Sequence, residues 1–298
     1  MTIARACRVA TTLLLVLGVA ACAQRTGTAA PPPDADADPS PRAELPSDAA
    51  ALVLRVEQTG GFTTPEGQAG LLPLISAYAD GRVLLQGPVA AIYPGFAWPN
   101  LQVLDVGPDG VRALVERALA AGVADPDDLG TPPLADVPTT RFTVATVDAT
   151  YVREAYGLTE TIRMRDGGLT GEQLAARREL QQLVEELVGL ASAERPEDVP
   201  GSWTPDAVAV IARPWTDRED GLTQQPLPWP GPTLSGDQLG WIPGNTCVVA
   251  TGDQVPALMT AAARANVQTP WTTPDGNRWS VTFRPLLPDE SSCADLLR

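Results

Sequence analysis

From Leu52 the chain alternates, with Leu52, Leu54 and Val56 on one side and Val53, Arg55 and Glu57 on the other, the period of a half-buried strand. Thr59 to Gly70 reads as a glycine-bearing loop. The stretch from Leu72 to Val123 carries the clearest pattern. Leu72 to Ala79 and Arg82 to Gln86 flank Asp80-Gly81, which predicts a hairpin with a type I′ turn, since that turn needs positive φ at both central positions. Pro88 to Pro99 is a proline-broken loop carrying Tyr93, Phe96 and Trp98, either an aromatic platform or a lid on the core edge. A strand is expected from Leu101 to Val106. Pro108 then opens a helix striped by Val111, Leu114, Val115, Ala118 and Leu119, and Gly122 closes it.

Further on, Thr139 to Val147 and Thr150 to Tyr156 pair across Asp148-Ala149. Thr170 with Gln173 has capping-box spacing and starts a second helix, striped by Leu180, Leu183, Val184, Leu187, Val188 and Ala191 and stopped by Pro196 and Pro200. Asp206 to Ala212 is a continuous apolar strand of the kind covered on both faces. Arg213 to Gly244 is a long irregular flap bearing Trp215, Trp229 and Trp241 among prolines, a candidate binding surface, with packing onto the core as the competing reading. The last unit runs through Thr246 to Ala250, a helix from Asp253 to Asn266, a turn at Pro274-Asp275-Gly276 and a strand from Arg278 to Arg284. It is a shorter echo of the strand-helix run ending at Val123. The expected fold class is α+β: two related strand/hairpin-helix-strand units, or one pseudo-symmetric body, joined by an amphipathic helix. The units are 51–168 and 201–298, and 169–200 is the connecting helix.

Ahead of the body, 1–22 reads as a lipoprotein signal peptide. Arg5 and Arg8 precede an apolar run from Val9 to Ala21 that is short for a membrane span of about 20 residues. It ends Val19-Ala20-Ala21-Cys22, which resembles the lipobox in which the cysteine is acylated. Cys22 is therefore the expected lipidation site, and the membrane the expected partner through it. Residues 23–50 are rich in Ala, Pro and Asp, offer almost nothing to bury, and read as a disordered tether spanning roughly 30 Å r.m.s.. Asp34, Asp36 and Asp38 do not make a calcium loop, because Pro39 and Leu45 stand where glycine and the bidentate glutamate are needed.

Composition removes most catalytic chemistries. All 21 basic side chains are arginine, and the chain has neither histidine nor lysine. That excludes Ser-His-Asp and Cys-His nucleophiles, HExxH zinc sites, P-loops and Schiff bases. No metal site, cofactor or catalytic residue is expected. Loss of Arg5 and Arg8 with residues 1–21 leaves 19 basic against 36 acidic groups, a balance of −17. Nucleic acid is not an expected partner of so acidic a chain.

Four cysteines partition without remainder: Cys7 leaves with the signal segment, Cys22 takes the lipid, and Cys247 and Cys293 are left to pair outside the cytoplasm. Such a bridge closes a loop of about 46 residues and contributes roughly 4 kcal/mol in the chain-entropy model. Among the acids, Asp127 with Asp128, Asp217 with Glu219 and Asp220, and Asp289 with Glu290 lie in expected loops and read as solvated charge. Arg153, Arg163 and Arg165 are a candidate anion clamp or neutralise their neighbours.

The lipobox, the Asp/Pro tether, LRVEQTGGF, the AYADGRV hairpin, GPVAAIYPG and the helix ending ALAAGV together resemble uncharacterised secreted lipoproteins of high-GC Gram-positive bacteria. The resemblance covers most of the mature chain and brings no catalytic or binding residues with it. The function expected is therefore that of a non-catalytic lipoprotein on the outer face of the cytoplasmic membrane, binding an envelope component or a protein. A carboxylate-dependent hydrolase of wall glycan is the alternative. A transporter's solute-binding subunit comes third, since its lobes need repeated βαβ units.

Overall fold

Thr59 and Gly60 continue the first strand rather than opening a loop, so β1 spans Leu52–Gly60. The structure, a computed structural model, describes residues 43–164, 168–192, 200–217, 221–240 and 243–297. A short helix α1 (Pro65–Gly70) follows, started by the Thr64 side chain, which accepts from the Gly67 amide at 3.2 Å. The chain continues through β2 (Ile75–Tyr78), β3 (Arg82–Gln86), β4 (Leu101–Asp105), α2 (Gly107–Ala120), β5 (Pro138–Ala145), β6 (Thr150–Tyr156), α3 (Leu158–Arg163), α4 (Gly171–Gly189) and β7 (Gly201–Ser202). Then come β8 (Ala207–Pro214), β9 (Leu227–Pro228), β10 (Asp237–Gln238), β11 (Thr246–Thr251), α5 (Gln254–Ala262), β12 (Trp271–Thr272) and β13 (Arg278–Pro285). The fold is α+β.

The strands form a seven-stranded sheet, ordered β6-β5-β1-β2-β3-β4-β7, and a six-stranded sheet, ordered β10-β11-β8-β13-β12-β9. Each contains a strand-helix-strand crossover of the same kind. Successive antiparallel pairings make β4 and β5 parallel with three strands between them, linked through α2. Likewise β11 and β13 are parallel on either side of β8, linked through α5. The echo seen in the sequence is this shared crossover, carried over different numbers of strands.

Two local expectations change. A bulge between Leu52 and Leu54 breaks the alternation, so Leu52 packs beside Tyr78 and Leu84 while Leu54 and Val56 join the helix-side core. In the hairpin Gly81 has φ 104° but Asp80 is not at positive φ, so the loop is three residues, Ala79 to Gly81, and not type I′. Asp80 instead accepts from the Arg82 amide at 3.0 Å and pairs with its Nε at 2.6 Å. Gly81 also lies against the start of α2, where a Cβ would come within 2.5 Å of Gly107.

Helices α2 and α4 roof one face of the first sheet through Val111, Val115, Ala118, Leu180, Leu183 and Leu187. Helix α4 has the expected capping box at Thr170 and Gln173 and is part of this core, rather than a bridge between halves. The boundary expected at residue 201 also moves: β7 pairs with β4 and closes the edge of the first sheet. Residues 43–50, read as the end of the tether, are docked. The Ala43 amide donates to Glu116 at 3.2 Å, and Ala43 and Leu45 pack on the helix-side core.

Between the two sheets runs a seam filled by α1 and the C-terminal segment. Leu287 packs with Tyr78, Leu84 and Leu101 of the first sheet, and Leu286 packs with Ala209 and Ile211 of the second. The Cys247–Cys293 disulfide, with Cα atoms 6.1 Å apart, fastens that segment to β11.

Candidate functional site

In β8, Val208, Val210 and Ala212 enter the core under α5, so Ala209, Ile211 and the residues that follow in step face the seam. Trp215 continues that second row. Its amide donates to the Arg278 carbonyl at 2.9 Å, one step beyond the β8–β13 ladder, which fixes where the indole sits. The ring is half-buried, and its Nε1 donates to Asp217 at 3.0 Å.

Trp215 stands between two open clefts, of about 210 and 390 Å³, and Gln268 lines both with it. The larger falls within the roughly 300 to 1,000 Å³ of ordinary small-molecule sites. The first cleft carries the hydroxyls of Thr216, Ser280 and Thr282, none of which has a hydrogen-bond partner among the described residues. The second adds Thr223, Gln224 and Gln225. Charge on the described lining balances: Glu66 and Asp217 are matched by Arg213 and Arg278, with Arg213 Nε 3.7 Å from Glu66.

One rim is the proline-broken loop. The Ala97 amide donates to the Ala265 carbonyl and the Val267 amide to that of Gly95, laying the loop beside 265–267. Gln268 Nε2 donates to the Tyr93 hydroxyl at 2.6 Å and holds an aromatic ring that is 68% exposed. Val267, Phe96 and Ile92 are exposed beside it. Trp98, on the same loop, turns inward onto Phe283, with centroids 5.9 Å apart, so the loop lids the core edge while its Tyr93 ring stays exposed.

The flap does not present its tryptophans together. Trp229 is a core residue, 8% exposed, edge-on to Trp271 at 5.5 Å and stacked on Phe283 at 6.1 Å. Its Nε1 is satisfied by the Pro232 carbonyl at 2.6 Å. The flap enters the sheet at one edge as β9 and at the other as β10, and between them it crosses the α5 side, where the core takes Trp229 and Leu234. Trp241 and Cys22 lie outside the described residues.

A second polar cluster fills the seam. Asp289 accepts from Arg55 at 2.8 Å and from the Tyr78 hydroxyl at 2.7 Å, while Glu290 takes a two-pronged pair from Arg284 at 2.8 and 3.0 Å. Burial, then the Asp289 carboxylate, push the Tyr78 pKa well above the ordinary tyrosine value, and Arg55 only partly opposes them. Burial works against the Arg55 charge, but Asp289, Tyr78 and Glu290 together hold its pKa above the ordinary arginine value. Asp289 therefore ties the C-terminal segment to β1 and β2, and Glu290 ties it to β13; they are not the solvated pair expected. Each is occupied by an arginine, which leaves no free carboxylate pair here of the kind glycoside hydrolysis needs.

Arg153 donates to the Asp125 carbonyl and to that of Asp127 at 3.0 Å, so it clamps a loop and not an anion. Arg163 is exposed, and Arg165, Glu219 and Asp220 lie outside the described residues. Asp128 accepts from the Gly130 amide at 2.8 Å. Arg177, fully buried, donates to the carbonyls of Leu129, Gly130 and Tyr156 and fixes the same loop to α4. Its signal was an arginine three positions before Leu180 on the apolar stripe.

The sequence matches no protein-family model and no curated protein. Among the described residues no group of three His, Cys, Asp or Glu could hold a metal, and no helix is long and apolar enough to cross a membrane.

Proposed function

We propose that this chain is a lipoprotein, anchored through acylated Cys22 to the outer face of the cytoplasmic membrane, that binds an envelope component without transforming it. Trp215 and its two clefts are the binding site. The observation that carries this reading is a half-buried indole between two open, polar clefts, the first of which carries hydroxyls at Thr216, Ser280 and Thr282 with no hydrogen-bond partner among the described residues. Binding is favoured over hydrolysis because Asp289 and Glu290, two adjacent acids of the seam, are already tied to Arg55 and Arg284.

The anchor rests on the Val19 to Cys22 pattern and on residues 23 to 42, long enough to hold a body clear of the headgroups. Intact-mass analysis of membrane-extracted protein should show a diacylglyceryl adduct on Cys22, and a soluble product beginning elsewhere would end that part of the proposal. Retention of the full-length protein on isolated envelope material should fall in Trp215→Ala; unchanged retention would remove the groove as the site.

A further inference from the structure

The chemistry of the groove narrows its ligand, taking the binding reading above as given. We infer that it takes an uncharged glycan chain, stacked on Trp215 and running out past Tyr93. The charge balance is the first argument. The protein carries 36 acidic against 21 basic groups, yet the described groove lining sets two acids against two arginines, with Glu66 beside Arg213. An anionic ligand would meet an acidic protein without an excess of guanidinium in the groove, and a cation would find each carboxylate already engaged. Asp217 accepts from the Trp215 indole, and Glu66 accepts from Asn245 at 3.3 Å.

The second argument is the inventory of hydrogen-bonding groups. Hydroxyls donate and accept, and amides do both through separate atoms. Thr216, Ser280 and Thr282 supply unengaged hydroxyls, and Gln225 an amide with no partner among the described residues. That set matches a ligand whose own groups alternate donor and acceptor at short intervals, as sugar hydroxyls do. A peptide in extended form would instead call for a free strand edge, and β8 and β13, which supply this face, are paired on both sides.

The third is the pair of aromatic faces. A pyranose ring presents a flat patch of C–H groups beside its hydroxyls, and an indole gives it dispersion contact without demanding charge. Trp215 is fixed by its backbone bond to Arg278 and its indole bond to Asp217, and Tyr93 by Gln268, so both rings are held before a ligand arrives.

The test uses isothermal titration of the full-length protein in detergent with four probes: a neutral gluco-oligosaccharide, an N-acetylglucosamine tetramer, oligogalacturonate as a polyanion, and a soluble peptide digest of envelope protein. Binding of at least one neutral oligosaccharide, little changed by added salt, is expected. Trp215→Ala should weaken it about tenfold or more, as truncating a binding hot spot does, and Trp215→Phe and Tyr93→Phe should keep most of it. Binding confined to oligogalacturonate or the peptides overturns the glycan assignment. If that binding, or retention on envelope material, is still lost in Trp215→Ala, the site stands and only the ligand class falls; if neither responds to Trp215→Ala, both fall. A Trp215→Ala protein that fails to fold is replaced by Thr282→Val with Ser280→Ala, which should weaken neutral-glycan binding severalfold, and an unchanged affinity in that variant overturns the assignment.

Discussion

The two sheets face the same problem, covering one apolar face of a crossover, and meet it with different materials. The first is roofed by helices of 14 and 19 residues, and its core is aliphatic apart from Phe142 and the part-buried Tyr151. The second has one helix of 9 residues, and the area that helix leaves bare is closed by Trp229 and Trp98, which pack on Trp271 and Phe283 of the sheet. Aromatic side chains bury about 150 to 250 Å² each, so a few rings replace a missing helix. Tryptophans in a proline-rich segment are thus roof tiles when they fall on the helix side of the sheet and surface features when they fall on the other.

The sharpest way to break this comparison is to remove one tile. Trp229→Ala should destabilise the protein by about 3 to 5 kcal/mol in urea unfolding, as large-to-small core changes do. A cost below about 1 kcal/mol would return Trp229 to the surface. The disulfide comes next. Cys247→Ser with Cys293→Ser should cost about 2 to 4 kcal/mol, with the largest loss of amide-exchange protection in β11 and the C-terminal segment. An equal loss in β1 and β5 would mean that the bridge supports both halves.

The seam belongs to both halves and gives a smaller effect with a pH signature. Tyr78→Phe removes one hydrogen bond to Asp289 and should cost about 1 kcal/mol at neutral pH. Because the folded-state pKa of Tyr78 is raised, its contribution is fully present below the ordinary value near 10 and is lost as pH rises above it. The fall of stability above about pH 10 should therefore be shallower in Tyr78→Phe. An identical slope in both proteins would contradict the raised pKa. The smallest effect is expected at Phe62, which is 94% exposed and belongs to neither core: Phe62→Ser should shift stability by no more than about 0.5 kcal/mol.

What could be read beforehand was whatever a short-range rule fixes. The capping box of α4, Pro108 in the first turn of α2 and the pairing of Cys247 with Cys293 each follow from local spacing or elimination. The Arg55–Asp289 pair was not legible, because its partners lie 234 residues apart and only the seam brings them together. Nor was the difference between Trp215 and Trp229. In β8 both faces are covered over most of its length, so the run carries no alternation to show that Trp215 falls in step with Ile211 and away from Val210. The placement of Trp229 depends on the flap entering the second sheet at both edges, a long-range pairing that no local pattern announces.

One paired measurement tests the central claim, that the tryptophans of a single segment divide between holding the fold and holding a ligand. Unfolding free energy and retention on envelope material are measured for Trp215→Ala and Trp229→Ala in the same full-length protein. Trp215→Ala should stay within about 1 kcal/mol of the parent and lose retention, while Trp229→Ala should lose several kcal/mol and retain normally in whatever fraction remains folded. A stable Trp215→Ala protein that is retained as well as the parent would contradict the account.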